Sequence, residues 1–400
     1  MIRTTPLEEV AGVTVMKLAH CGAILLAMTA SASAAEPRAR DLGIPFDGTP
    51  GAFNAITDVA GLTVGQTTLI ASPDPKHEVR TGVTAILPRG KESSNVPVFG
   101  GWFALNGNGE MTGTTWLEEG GRLEGPVLIT NTHSVGVVRD AVIAWRVRQG
   151  HPDPSGYWWS TPVVAETWDG YLNDVNGFHV KPEHVDAALD TARSGPVAEG
   201  NVGGGTGMVC HEFKCGIGTA SRLVTIEKKP FIVGVLVQAN YGVRDTLRIA
   251  GVPVGKHLRE HLIYTDEAPD AGDTGSIIIV VATDAPLLPH QLKRIARRAA
   301  LGLGRNGSYA GNGSGDIFVA FSTANAGAMP NDAINSATFL GNELLDPLFL
   351  ATVEATEEAI VNAMIAARDM RGQDGHFVMA IPHDKLRAVL KQYNRLNSPK

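Results

Sequence analysis

"GSIIIVVATDAPLLPHQ", residues 275–291, follows the acidic, Gly- and Pro-marked stretch "DEAPDAGDT" at 266–274. Branched aliphatics fill every position from Ile277 to Val281. A strand with one wet face alternates apolar and polar residues, so an unbroken apolar run predicts a strand covered on both faces. "PHQLKRIARRAALGLGRNG" comes next, with Pro289 near its first turn and Arg, Asn and Gly at its end, as in a helix. The strand begins abruptly, directly after Gly275, and its first residue is Ser276.

The same grammar recurs along the chain. "GVTAILP" from Gly82, "GPVLITNTH" from Gly125, "FIVGVLVQAN" from Phe231 and "DIFVAFSTAN" from Asp316 are short, β-branched and bounded by turn residues. "THSVGVVRDAVIAWRVRQG" has helical spacing, with Thr132 or Ser134 placed to cap it. "PLFLATVEATEEAIVNAMIAARDM" predicts the longest helix, apolar on one face with Glu354, Glu357 and Glu358 on the other. Strands and helices alternate loosely, which points to an α/β or α+β layered fold. No linker or shift of composition divides the chain, so residues 35–400 are expected to form a single domain.

Of the 400 residues, 44% are hydrophobic and 19% charged, enough to bury a sizeable core. Net charge is −7 and no basic run stands out, which argues against a nucleic-acid partner. Residues 1–34 are expected to be a secretory signal peptide, from Lys17 after Met16, a short apolar run, and the cleavage pattern Ala32-Ser33-Ala34. Residues 1–15 are unlike the basic start of such a peptide, so Met16 is a candidate true start. The expected location is periplasmic or secreted, with no membrane association once the signal is removed. Cys210 and Cys215 then remain, in "CHEFKC". That spacing matches no common zinc site, and two buried small hydrophobes are favoured. A disulfide is permitted in an oxidising compartment and the sequence leaves it open.

Two glycine motifs offer no nucleotide site. "GLGRNG", Gly302–Gly307, closes a helix where a dinucleotide fingerprint opens one. "VGGGTGM", Val202–Met208, lacks the Lys-Ser/Thr of a P-loop and suits close backbone packing. There is no G-x-S-x-G elbow. Ser276 and Ser314, the latter in "GNGSGD", have unusual settings, although each pattern also suits a plain strand start or turn. A cut between Gly275 and Ser276 would leave Ser276 with a hydroxyl and a free α-amine of pKa about 7.7–8.0. Nucleophile and base would then be one residue.

Several motifs in order resemble one family. They are "ETWDGYLNDVNGFHV", "GNVGGGTGM", "FKCGIGTASR", "GSIIIVVATDAPLLPHQLKRIARRA" and "NGSGDIFVAFSTAN", and the likeness spans nearly the whole chain after the signal. The family is that of L-aminopeptidase D-Ala-esterase/amidase and the β-peptidyl aminopeptidases. The resemblance implies an α+β fold, the four-layer αββα sandwich of N-terminal-nucleophile hydrolases. It implies self-cleavage between Gly275 and Ser276 into chains 35–275 and 276–400, with Ser276 as nucleophile. Ser314 and Asp316 match the family's second serine and its acid. Asn240 in "VQANYG" matches the residue that stabilises the oxyanion, and Glu166 in "ETWDG" the one that holds the substrate ammonium. Trp168 aligns with a pocket position that is often Tyr in relatives, which leaves pocket size open. By their own local patterns, Glu166 would read as a surface carboxylate and Asn240 as a turn at a strand end.

The implied activity is release of N-terminal residues from short peptides, amides and esters, without metal or organic cofactor. The implied assembly is a homo-oligomer of four processed heterodimers. Rival readings are a related acyltransferase or amide-oligomer hydrolase, for which Thr would be expected in place of Ser276, and a non-catalytic periplasmic binding protein. The preference among L-, D- and β-residues, and the choice of general base, stay open at this stage.

Overall fold

The computed structural model describes residues 37–150, 159–263, 275–327 and 334–397. The expected signal peptide and the acidic stretch before Gly275 lie outside the described residues. One sheet joins β1 (Thr63–Ala71), β2 (Val79–Lys91), β5 (Val127–Asn131) and β6 (Val163–Thr167) in that order. The second, six-stranded sheet has the order β4 (Arg122–Leu123), β3 (Val98–Ala104), β12 (Gly315–Ser322), β11 (Ser276–Thr283), β10 (Lys229–Asn240), β9 (Ile217–Ile226). Two small hairpins complete the strands, β7 (Val209–Cys210) with β8 (Phe213–Lys214) and β13 (Met370–Arg371) with β14 (Phe377–Val378). The helices are α1 (Thr114–Gly120), α2 (Val135–Gln149), α3 (Pro182–Asp190), α4 (Pro289–Arg305), α5 (Asp346–Ile365) and α6 (His383–Gln392).

Most neighbouring strands are antiparallel, but two pairs are parallel: β5 with β6, and β11 with β12. A parallel pair needs a crossover connection. Here α2 lies between β5 and β6 in the chain, and α4 between β11 and β12. Each crossover helix covers the outer face of its own sheet. Leu128 and Val164 pack with Val138, Val142 and Trp145 of α2. Ile277, Ile279 and Val281 pack with Leu292 and Ile295 of α4 and Ala355 and Ala359 of α5.

The alternate residues Ile278, Val280 and Ala282 turn the other way, toward Ile86, Ile129, Val163 and Ala165 of the four-stranded sheet. Successive side chains of a strand point to opposite faces. The apolar run of β11 therefore serves two cores at once. The layers are helix, sheet, sheet, helix, the expected αββα sandwich, and all five sequence-predicted strands lie within it.

One helix departs from expectation. α5 is buried on almost every side, and Glu354 and Glu358 do not form a wet face. Glu358 is fully buried and accepts bonds from Arg40 (2.7 and 2.8 Å), Asn54 (2.6 Å) and Arg222 (2.7 Å). Burial alone would raise its pKa, but the two guanidinium groups and Asn54 hold the carboxyl below its ordinary value. Helical spacing predicted the polar face; partners up to 318 residues away decide that it is buried.

Candidate active site

Ser276 opens the central strand of the six-stranded sheet and is flanked on both sides. In the antiparallel register with β10 its opposite number is Asn240, and in the parallel register with β12 it is Gly315. The Gly315 N–H donates to the Gly275 carbonyl at 3.1 Å, tying the residue before Ser276 to the neighbouring strand. Asn240 is in phase with Gln238 and Leu236, and Ser276 with Ile278 and Val280, so both sit on the face turned toward the other sheet. Ser314 and Asp316 flank Gly315; both are fully buried, and the Ser314 hydroxyl donates to Asp316 Oδ1 at 2.7 Å.

Glu166 comes from the opposite sheet, near the end of β6, and is only 4% exposed. Its Oε1 accepts the Glu110 N–H at 3.0 Å, and its Oε2 accepts the Thr132 hydroxyl. Burial pushes its pKa above the usual carboxylate value, against the pull of these two donors. A Cβ on Gly109 would lie 3.1 Å from Glu166 Oε1 and 3.3 Å from Gly315 Cα. One backbone therefore separates this carboxylate from the strand neighbour of Ser276. Trp168 follows β6, 43% exposed, with its indole against Gly170.

The loop from Leu105 to Met111 laces the two halves together, and nothing in its own sequence marks it as part of the site. Leu105 N–H donates to the Asp316 carbonyl at 2.9 Å, and Asp316 N–H to the Asn106 carbonyl at 3.0 Å. The Asn106 side chain donates to the Gly311 carbonyl, and that of Asn108 to the Gly313 carbonyl at 2.7 Å. The same loop presents Glu110 N–H to Glu166. Thr132, a cap candidate by sequence, instead gives its hydroxyl to Glu166. Spacing suggests a helix cap equally well, so only the fold could find this role.

Cys210 and Cys215 are joined in a disulfide, correcting the expectation of two separate small hydrophobes. Glu212 between them accepts the Arg244 and Ile263 N–H groups, both at 2.9 Å. Among the described residues no group of three or more His, Cys, Asp or Glu is arranged to hold a metal ion. Val202–Met208 lies between the sheets, where a Cβ on Gly204 would be 2.1 Å from Gln238 Oε1 and 2.7 Å from the Ile129 carbonyl. These glycines permit close packing, as their sequence suggested.

The fold recurs in solved structures. The L-aminopeptidase D-Ala-esterase/amidase of Ochrobactrum anthropi, described as a prototype of the serine aminopeptidases and a variant of the Ntn-hydrolase fold, is 52% identical. It superposes with a TM-score of 0.84 over 90% of this chain and 100% of that one. A Burkholderia β-aminopeptidase is 47% identical at a TM-score of 0.80, over 89% of this chain and 99% of that one. The molecule is thus a serine aminopeptidase of the N-terminal-nucleophile hydrolase fold. Among curated relatives, the β-peptidyl aminopeptidase BapA of Sphingosinicella microcystinivorans is 56% identical over 93% of this chain and 96% of that protein. Its counterpart from Sphingosinicella xenopeptidilytica is 49% identical over 92% and 94%. The model of peptidase family S58 matches residues 54–378, and the chain belongs to that family.

Proposed function

We propose that this aminopeptidase matures by cutting its own Gly275–Ser276 bond, and that the freed Ser276 then releases N-terminal residues from short peptides, amides and esters. The observation that carries this reading is the placement of Ser276, first on the central strand between Asn240 and Gly315, with Glu166 one backbone beyond. The substrate ammonium binds Glu166 through a charge-assisted hydrogen bond in a largely desolvated setting. The Ser276 α-amine takes the hydroxyl proton and Oγ attacks the carbonyl carbon of the residue whose ammonium is bound. Asn240 Nδ2 donates to the oxyanion. The leaving amine takes the proton as the C–N bond breaks, and water then hydrolyses the ester. Ser314 and Asp316 hold the strand neighbour of Ser276 in place, and Trp168 borders the side-chain pocket.

The two Sphingosinicella relatives are β-peptidyl aminopeptidases, which supports an N-terminal β-residue as one substrate class. Export to the periplasm through residues 1–34, and assembly of four processed heterodimers, complete the proposal. Ser276→Ala tests its centre. The variant is expected to remain one chain on a denaturing gel and to leave alanine and β-alanine amides intact. The wild type is expected to yield a fragment whose N-terminus reads Ser-Ile-Ile-Ile-Val. Normal cleavage and turnover in the variant would overturn the assignment.

A further inference from the structure

Lys214 is fully buried, and burial drives its pKa well below the ordinary lysine value. A buried amino group is costly unless its donors are used. Two of them are: Nζ donates to the Met208 and Cys215 carbonyls, each at 2.7 Å. The Met208 carbonyl belongs to the same peptide unit as the Val209 N–H, and that N–H donates to Asn240 Oδ1 at 2.8 Å. The lysine thus pins one end of a peptide plane whose other end fixes the Asn240 amide. With Oδ1 engaged by Val209, the orientation of the Asn240 amide is set, and Nδ2 is the end of it that can donate. Hydrogen bonding at a peptide carbonyl also polarises its N–H, which strengthens the second bond.

The same turn is held by independent means. Cys210 and Cys215, both fully buried, are joined across it. His211 N–H donates to the Tyr241 carbonyl at 2.7 Å, and Ala239 N–H to the Gly216 carbonyl at 3.0 Å. The turn and the residue after it therefore hold the chain on each side of Asn240. His211 and Glu212 adopt left-handed φ values of 49° and 63°, a conformation that surrounding structure must hold for residues other than glycine. Arg244 supplies that hold, donating to both of their carbonyls at 2.8 Å.

We propose that the Met208–Cys215 turn, clasped by the Lys214 side chain and the Cys210–Cys215 disulfide, positions the Asn240 amide for oxyanion stabilisation. This rests on the role given to Asn240 above. Lys214 touches no substrate; it is a positioning residue acting through the 208–209 peptide.

A double-mutant cycle tests it. Lys214→Met is expected to lower kcat about tenfold on alanine and β-alanine amides, with KM within about twofold because Glu166 is untouched. Asn240→Ala is expected to lower kcat by about 10²–10³. In the Asn240→Ala background, Lys214→Met should cost nothing further, because its route to the oxyanion is already gone. A folded Lys214→Met enzyme with wild-type kcat overturns the inference, and so does an equal loss in both backgrounds. If Asn240→Ala alone keeps full kcat, the oxyanion assignment itself fails, and the inference falls with it.

The disulfide gives a readout that needs no variant to fold. A dithiol reduces the bond in the mature enzyme to two thiols and is itself oxidised to a cyclic disulfide. With both thiols confirmed by alkylation and mass, kcat is expected to fall with KM held, and to return on reoxidation. Undiminished kcat in the doubly reduced enzyme overturns the disulfide's part.

Discussion

Gly275 has no room for a side chain. A Cβ there would lie 2.0 Å from the Asn240 carbonyl oxygen and 2.4 Å from Tyr241 Cα. These are backbone atoms that cannot step aside as a flexible side chain would. Gly275→Ala is therefore expected to displace the 275–276 peptide from its bond to Gly315 and to slow chain cleavage at least about tenfold, a barrier higher by about 1.4 kcal/mol. A time course on denaturing gels measures it. Glu166 supports a second expectation at this scale. Its carboxylate must be ionised to hold an ammonium, and burial raises its pKa. Lowering the pH should weaken capture of free-amine substrates from a point above the ordinary glutamate value of about 4.3. In KM against pH, the acid-side rise is expected to begin at a higher pH than for an exposed carboxylate, separate from the fall in kcat as the Ser276 α-amine is protonated. Glu166→Gln is expected to raise KM and to remove its acid-side rise while the kcat limb remains.

At the scale of elements, β11 explains how one strand can be core and also carry the proposed nucleophile. Its odd residues pack on α4 and α5, its even residues on the opposite sheet, and its first even position is Ser276. The unbroken aliphatic run made that two-sided burial legible in the sequence. The polar tie between the sheets was not legible. Gln238, two positions before Asn240, donates to the Thr130 carbonyl at 2.9 Å and to the Thr167 hydroxyl at 2.8 Å. Those partners flank Glu166 on β5 and β6. Gln238→Met should leave a buried carbonyl and hydroxyl without this donor and cost about 1–3 kcal/mol of stability. Because the tie sets one sheet against the other, KM for free-amine substrates is expected to rise together with the fall in thermal midpoint. A fall in midpoint with unchanged KM would separate the tie from the site.

Over the whole molecule, the segment before β1 is tied to distant parts of the chain by ion pairs, to α5 through Arg40 and to Glu199 through Arg38. Arg40 and Arg222 share Glu358, and Arg38 pairs with Glu199 at 2.7 Å. Breaking a buried pair strands the partner charges, so Glu358→Gln is expected to cost about 3 kcal/mol in denaturant unfolding. The folded pKa of Glu358 is depressed, so its contribution is present above the unfolded value of about 4.3 and is lost as pH falls through the folded value. The variant should therefore lose less stability on acidification than the wild type does. Its kcat is expected to stay near normal, since the network touches none of the residues around Ser276.

Local pattern sufficed for what local pattern encodes. Strand and helix periods located β2, β5, β10, β11, β12, α2, α4 and α5, and the motif order pointed to the family and to Ser276, Ser314, Asp316, Asn240 and Glu166. The sequence could not say that Thr132 and Glu110 would turn Glu166 inward, that a lysine would hold the peptide behind Asn240, or that the two cysteines would join. It also misjudged the polar face of α5. Each of those depends on which distant groups meet once the sheets stack, and the burial that gives such a contact its energy exists only in the folded chain. Periodicity is written along the sequence; partnership and desolvation are decided by tertiary structure.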